Sequence, residues 1–210
     1  MRRGMSDATA WAEGLPDGSI KASAFDRVAE SYARDDPTAA AEWVKSHAGN
    51  EYAERAVREV AEELAREDPS TAAKWAEELP ESSQASAMRT TMERWTREDP
   101  TAAGEYLSAM APSAARDSAV SSFAREYDRE DPGLAAQWAA SIENQEMRAE
   151  TLESVARSWM RSNAEEATKW LPTSGLSAEA QQDVIRDAER GRGGDWRGRG
   201  PGGGGRPPGR

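Results

Sequence analysis

The sequence predicts an all-α protein: an α-solenoid of about six antiparallel helix pairs, each 31–32 residues long, followed by a disordered tail rich in Gly, Arg and Pro. Three observations lead to this prediction. An Asp-Pro dipeptide recurs at Asp36-Pro37, Asp68-Pro69, Asp99-Pro100 and Asp131-Pro132. An aromatic residue stands six positions after each proline, at Trp43, Trp75, Tyr106 and Trp138, and an alanine stands three positions before each aromatic, at Ala40, Ala72, Ala103 and Ala135. Self-similarity at a fixed period is typical of stacked repeat proteins.

The array extends by one unit in each direction beyond the Asp-Pro dipeptides. Asn163-Ala164 precedes Trp170 by the same interval, and Trp11 lies one period before Trp43. The alanine column also continues, at Ala8 and Ala167. We therefore predict a folded region over residues 1–190, with the repeats running from about residue 5, and a separate tail over residues 191–210.

Each unit begins with a short helix, here called helix A, whose start is marked by the Asp-Pro dipeptide. The carboxylate of Asp36 can accept a hydrogen bond from the free amides of the first turn, and Pro37 is tolerated at the first helical position because an amide there has no partner. Helix A then stops near Gly49 and Asn50. We predict for these two residues the left-handed conformation that is common after helix ends.

The second helix of each unit, here called helix B, carries a wide apolar stripe at helical spacing. In the second unit the stripe consists of Ala56, Val57, Val60, Ala61 and Leu64. The other units repeat it with Ala24, Phe25, Val28, Ala29 and Tyr32; Ala87, Met88, Thr91, Met92 and Trp95; Ala119, Val120, Phe123, Ala124 and Tyr127; and Thr151, Leu152, Val155, Ala156 and Trp159. A stripe of this width buries helix B against both its partner and the next pair.

Composition limits the class of protein. Only 37% of the chain is apolar and 31% is charged, which is little for one large core but enough for repeats that each bury a narrow stripe. The absence of cysteine excludes disulfides and thiol chemistry. No apolar run is long enough to span a membrane and no secretory signal follows Met1, so we expect a cytoplasmic protein that does not contact membranes. The first unit is clipped at its front, so an upstream signal would be missing if the chain is a fragment.

Catalytic and metal-binding residues are not apparent, and we predict a protein that is not an enzyme and has neither a cofactor nor a metal. His47, the single histidine, falls in an apolar column with Leu15, Leu79, Met110 and Ile142, so we interpret it as a half-buried packing residue. A pair of acidic residues recurs in each of the four units that have the Asp-Pro dipeptide, at Asp35-Asp36, Glu67-Asp68, Glu98-Asp99 and Glu130-Asp131. Helix capping explains them, because general acid and base catalysis needs two carboxylates in different environments.

The repeat resembles the tetratricopeptide repeat over residues 5–190, since it has a tryptophan early in helix A and a proline six residues before it. It is most similar to short, alanine- and tryptophan-rich bacterial variants. The unit is shorter than the family's 34 residues and lacks the family's glycine and tyrosine later in helix A. The resemblance implies that the chain binds a protein or peptide in a groove formed by the A helices. With no catalytic residues apparent, we expect a non-enzymatic scaffold, and we expect it to be a monomer.

In that geometry, two positions of helix A line the groove: the one before each aromatic and the one two after it. The predicted groove residues are Glu42, Lys45, Lys74, Glu77, Glu105, Gln137 and Lys169. The aromatic column itself is predicted to pack at the junctions between units rather than to form a stacking surface. The residues of the predicted groove vary from unit to unit. Such variation is typical both of a tailored binding surface and of unconstrained exposed positions.

The tail supports a second function. Residues 190–210 contain six arginines and one aspartate, a formal charge of +5. Since the whole chain has a net charge of −11, the preceding residues carry −16. An acidic body disfavours binding of nucleic acid, whereas Arg-Gly steps resemble the arginine-glycine segments of RNA-binding proteins. The alternative is therefore an RNA-associated accessory protein that binds through its tail. Its candidate contact residues are Arg192, Trp196, Arg197 and Arg199. A tail without specific function, or one that folds back on the acidic body, is also consistent with this composition.

Overall fold

The computed structural model describes the backbone of residues 2–194 and the side chains of residues 4–190. Within this range the chain contains twelve α-helices and two short 3₁₀ turns, and no strand. The predicted all-α class is therefore confirmed. The apolar residues of every stripe recur at steps of three to four, which favours helices. The repeats have no alternating apolar pattern of the kind that favours strands.

The helices follow one another in short and long alternation that matches the predicted A and B helices. The pairs are α1 (Arg2–Glu13) and α2 (Ser19–Asp35); α3 (Pro37–Lys45) and α4 (Glu54–Glu67); α5 (Pro69–Glu77) and α6 (Glu81–Glu98); α7 (Pro100–Ala109) and α8 (Ala114–Tyr127); α9 (Pro132–Ala140) and α10 (Gln145–Ser162); and α11 (Ala164–Trp170) and α12 (Ala178–Gly194). The 3₁₀ turns cover Glu51–Ala53, before α4, and Leu171–Thr173, after α11.

A single residue separates most B helices from the A helix that follows. The backbone N–H of Asp36 donates to the carbonyl of Tyr32 at 2.8 Å, which closes α2, and the Asp36 carboxylate accepts from the amide of Ala39 at 3.0 Å, which starts α3. The predicted caps are confirmed: Asp68, Asp99, Asp131 and Asn163 accept in the same way at the starts of α5, α7, α9 and α11. Each cap thus fixes the junction between two units.

The end of the second A helix differs from the prediction. In the described residues only Gly18 and Gly175 have positive φ, so the left-handed conformation predicted for Gly49 and Asn50 is wrong. Side chains close this end instead: the Ser46 hydroxyl donates to the carbonyl of Trp43, and the Asn50 amide donates to the carbonyl of His47. The first bond satisfies one of the last carbonyls of α3 and the second satisfies a carbonyl of the turn after it, so no left-handed residue is needed.

The core lies along the B helices. Among the 25 predicted stripe residues all but Tyr32 and Tyr127 are buried, and the alanine column is fully buried from Ala40 to Ala167. Helices α2, α4, α6, α8, α10 and α12 each contact the next one in this order. Helices α3, α5, α7 and α9 each contact the B helices before and after them, while α1 contacts α2 and α11 contacts α10. Alanine at these positions lets helices approach closely while each pair buries a narrow stripe.

The aromatic column joins successive A helices by polar contacts. The indole N–H of Trp43 donates to the Glu13 carboxylate at 2.7 Å, and that of Trp75 donates to the carbonyl of Ala41 at 3.2 Å. Each bond reaches back one unit. Burial is less uniform than predicted: Trp75 is buried, four members are half-buried and Trp11 is exposed. The first member is exposed because α1 follows no helix in the described residues.

The last helix is longer than predicted. Helix α12 continues to Gly194, four residues past the predicted boundary at residue 190, because its backbone bonds simply propagate from the turn anchored by the buried Val184. The rest of the predicted tail lies outside the described residues. None of the helices in residues 2–194 is both long enough and apolar enough to cross a membrane.

Replacing Trp75 tests the role of the aromatic column. Trp75 is 6% exposed, so Trp75→Ala empties a large site between two units, and we expect the free energy of unfolding to fall by about 3–5 kcal/mol. Trp75→Phe keeps most of the ring and loses mainly the bond to Ala41, so its cost should be clearly smaller. Urea denaturation followed by circular dichroism measures both. A loss below about 1 kcal/mol for Trp75→Ala would contradict the assignment.

Asp117 on α8 provides a second test. It is 4% exposed, and its two carboxylate oxygens accept from the amides of Glu143 and Asn144, each at 2.9 Å, immediately before α10. Asp117→Ala removes both acceptors, and we expect a loss of about 2–3 kcal/mol. Asp117→Asn keeps one acceptor and should recover part of the loss. Thermal melts of the three proteins check this order, and equal stabilities for Ala and Asn variants would contradict it.

Candidate functional site

The seven predicted groove residues lie on A helices, at the position before each aromatic residue or two positions after it. Glu42 and Lys45 lie on α3, Lys74 and Glu77 on α5, and the remaining three on α7, α9 and α11, at Glu105, Gln137 and Lys169. All are exposed except Lys45, which is half-buried. The exposure that the prediction requires is therefore present in six of the seven.

Three of these seven residues already contact other side chains of the protein. The Lys45 ammonium pairs with the carboxylate of Glu78, the residue that follows α5, and this hydrogen bond is the main cause that raises the pKa of Lys45. The Tyr106 hydroxyl donates to Glu77 at 2.8 Å, and burial, followed by this bond, raises the pKa of Tyr106. Lys169 pairs with Glu165 on its own helix. Lys45 and Glu77 thus connect neighbouring units. The sequence predicted these two residues only as groove residues and did not predict this structural role.

A groove lies on the opposite, B-helix side, and we call it the B-side groove. Its floor is formed by Ser118, Ser121 and Ser122 of α8. Its walls are Arg89 and Glu93 of α6 on one side and Met147 and Glu150 of α10 on the other. The groove has a volume of about 310 Å³, and Arg125 and Glu126 of α8 also line it. The Ser121 hydroxyl lies 2.8 Å from that of Thr151, so α8 and α10 are tied beneath the floor.

The three serines explain why the groove lies over α8. The equivalent positions on α4 are Arg55, Arg58 and Glu59, whose long side chains cover their helix. On α8 the serine side chains are too short to cover the helix surface, and α6 packs closely against α8. Sequence reasoning missed this site. The signal in the sequence is confined to Ser121, whose column is charged on α2, α4, α6 and α10. Helices α2 and α6 also have serine at the position of Ser118, and α10 has serine at the position of Ser122.

The same side of α2 and α4 is crowded with carboxylates. The Arg55 guanidinium lies 3.3 Å from the Asp26 carboxylate, beside a second depression of about 250 Å³. Burial raises the pKa of Asp26, and Arg55 and Arg58 offset this only in part. Burial, and after it the carboxylates of Glu62, Glu30 and Asp26, raise the pKa of Glu59. Nearby cationic groups of a partner would stabilise the charged form of both.

The residues that suggested chemistry have structural contacts. His47 is half-buried as predicted, with Nδ1 at 3.2 Å from the Tyr52 hydroxyl and Nε2 at 3.3 Å from the Glu13 carboxylate, beside the ring of Phe25. The repeated acids cap helices, and the Thr71 hydroxyl is the main cause that lowers the pKa of Asp68. Among residues 4–190 no group of three or more His, Asp and Glu side chains is arranged to hold a metal ion.

The candidate nucleic-acid contacts fall largely beyond the described part of the chain. The backbone of Arg192 belongs to α12. Trp196, Arg197 and Arg199 lie outside the described residues. The tail hypothesis therefore stays a prediction from composition.

Comparison with protein-family models, with curated protein sequences and with solved structures gives no match for this chain. The resemblance to tetratricopeptide repeats therefore depends on the spacing of Trp and Pro alone.

The crowded carboxylates predict how stability changes with pH. The raised pKa of Glu59 means that its charged form opposes folding, so this cost is present above the raised pKa and absent below the ordinary carboxyl range. Glu59→Gln should raise the free energy of unfolding at pH 7, by less than about 1 kcal/mol because the group is partly exposed, and the gain should vanish towards pH 4.

Asp68 gives a comparison of opposite sign. Its pKa is lowered, so its charged form supports folding above the ordinary carboxyl range and this support is lost as the pH falls through the lowered pKa. Asp68→Asn should therefore lower stability at pH 7, and the loss should shrink in acid. Thermal melts at pH 7 and pH 4 test both variants. A gain for Glu59→Gln that grows on acidification would contradict the environment assigned to Glu59.

Proposed function

We propose that this protein is a non-enzymatic scaffold that binds a peptide segment of a protein partner in the B-side groove. The observation that carries the proposal is the groove itself, in which Ser118, Ser121 and Ser122 form a floor of hydroxyl groups between charged walls. Hydroxyl groups and charged side chains can bond the backbone of an extended peptide without a change in the fold. The residues that suggested chemistry are used in packing and capping, which supports a binding role rather than catalysis.

An α-solenoid of six helix pairs is the architecture we propose for this scaffold. It is supported by the ordered contacts of the B helices, each with the next, while successive A helices are joined through side chains such as Trp43 and Glu13. A row of helices in closer contact lies on the inner side of a curved array. We therefore infer that the B helices line the concave side, opposite to what the tetratricopeptide resemblance implies.

The dimensions and charges of the groove indicate the class of peptide. From α6 to α10 it crosses two helix spacings of 8–10 Å each, or about 20 Å, which corresponds to about six extended residues. Three glutamates, Glu93, Glu126 and Glu150, and two arginines, Arg89 and Arg125, line the groove, so its lining has a small excess of negative charge. This excess and the crowded carboxylates near Glu59 favour a peptide with basic side chains. The body of the chain carries most of the negative charge, so steering of a basic partner acts in the same direction.

A pull-down with matched variants tests this function. Ser118→Arg should fill the groove and abolish retention of the partner, because the arginine covers the floor as Arg55 does on α4. Glu105→Arg on the A side adds the same side chain to an exposed position and should retain the partner. Mass spectrometry of the eluates identifies the protein that follows this pattern. A partner lost with Glu105→Arg but kept with Ser118→Arg would instead support the A-helix groove.

RNA binding through the tail remains a second candidate, favoured by the formal charge of +5 over residues 190–210. Removing residues 195–210 separates the two functions, since the scaffold keeps its peptide and the accessory protein loses RNA. Binding of single-stranded RNA through arginines should also fall steeply between about 50 and 200 mM salt. Tight RNA binding by the truncated chain would contradict both candidates as stated.

A further inference from the structure

The floor and walls of the B-side groove carry polar groups without partners. Ser122 is only 5% exposed and Ser118 is half-buried, and within residues 4–190 neither hydroxyl has a hydrogen-bond partner. The wall carboxylates of Glu93 and Glu150 form no ion pair with a described residue. Buried polar groups in proteins are nearly always hydrogen-bonded. The groove is therefore suited to a ligand that brings hydrogen-bond donors to its floor and cations to its walls.

The shape of the groove restricts this ligand further. Helix α6 packs closely against α8, so the wall of Arg89 and Glu93 stands directly beside the serine floor. A peptide backbone reaches the floor most closely where it has no side chain, which favours glycine. The sequence contains one run of four glycines, at residues 202–205, and it lies between Arg199 and Arg206 in the tail.

The tail is long enough to bring this run to the floor. With α8, α10 and α12 in repeat register, Gly194 at the end of α12 lies about 18 Å further along the helix axis than Ser118. Two helix spacings of about 8–10 Å each separate α12 from α8. The resulting distance of about 27 Å is spanned by about eight extended residues. The glycine run begins at this distance along the chain from Gly194.

The charges along this part of the tail match the two ends of the groove. Arg199 reaches the end nearer to Gly194, where Glu126 lies, and Arg206 reaches the other end, where Glu150 lies. The glycines between them are uncharged, so they pass the guanidinium of Arg89 without repulsion, and their carbonyls can accept hydrogen bonds from it. The small net charge of the lining is thus compatible with this segment.

We propose that residues 199–206 of the chain's own tail occupy the B-side groove, with the glycine run over the serine floor and an arginine at each end. A segment joined to its site by a short linker is present at an effective concentration on the order of 1 mM, so weak contacts suffice to fill the groove. This inference rests on the proposed function, because a peptide of the partner must displace the tail. The tail then sets the affinity for the partner.

Binding of a fluorescent peptide of residues 197–208 to the full chain tests the proposal. Arg199→Glu with Arg206→Glu should release the tail, so the affinity for the peptide should rise about tenfold, as expected for about 90% occupancy. Arg197→Glu with Arg210→Glu makes the same change of charge outside the segment and should leave the affinity unchanged. Fluorescence anisotropy measures all three chains. No rise with the first variant, or an equal rise with both, would overturn the proposal.

A nitroxide label locates the segment in the full chain. The chain has no cysteine, so Pro207→Cys places a single label just beyond the segment. The amide NMR signals of Ser118 and Ser122 should broaden, whereas that of Ser108, on the A helix of the same unit, should not. Labelled chains without ¹⁵N are also mixed with unlabelled ¹⁵N chains. Broadening in the mixture would show that the tail comes from a second copy and would overturn the proposal.

The label also separates this inference from the proposed function. If the groove signals do not broaden but Ser118→Arg abolishes retention of a partner, the tail contact is wrong and the scaffold function is supported. If the groove signals broaden but no partner depends on Ser118, the tail contact is supported and the scaffold function is contradicted.

Discussion

The structure depends on one residue at each junction between units. In Asp36, Asp68 and Asp99 the backbone N–H ends the B helix before it and the carboxylate starts the A helix after it. Since a single residue serves both helices, no flexible linker separates them and the angle between them is fixed. Proline at the following position adds to this, because its φ is already helical. The alanine column and the aromatic column can then meet the same neighbours in each unit.

Features that repeat were predictable from the sequence. The caps, the alanine column and the B-helix stripe occur in five or six copies, so an error in one unit would have been visible against the others. Their physical causes are also local: a carboxylate reaches amides three residues away, and a helical stripe follows from spacing alone. The all-α class and nearly all buried positions of the B helices therefore agree with the prediction, whereas the conformation of Gly49, judged from one unit, does not.

Features that depend on the distance between helices were not predictable in this way. Asp117 has no equivalent in its column, where other units have alanine or glutamate, and its role appears only when the loop before α10 is seen beside it. The B-side groove likewise depends on how closely α6 and α8 pack. The aromatic column was correctly expected at the junctions, but its burial varies with the neighbour that each ring meets, from Trp75 to Trp11.

Departures from the columns carry the functional argument. Ser121 on α8 replaces residues that are charged on α2, α4, α6 and α10. Here a small side chain leaves the helix surface uncovered, so a peptide can come close enough for backbone hydrogen bonds. Charged side chains at this position on the other four helices keep other proteins away and maintain solubility. In a repeat protein whose columns build the fold, we therefore expect contacts with partners where a unit breaks the column.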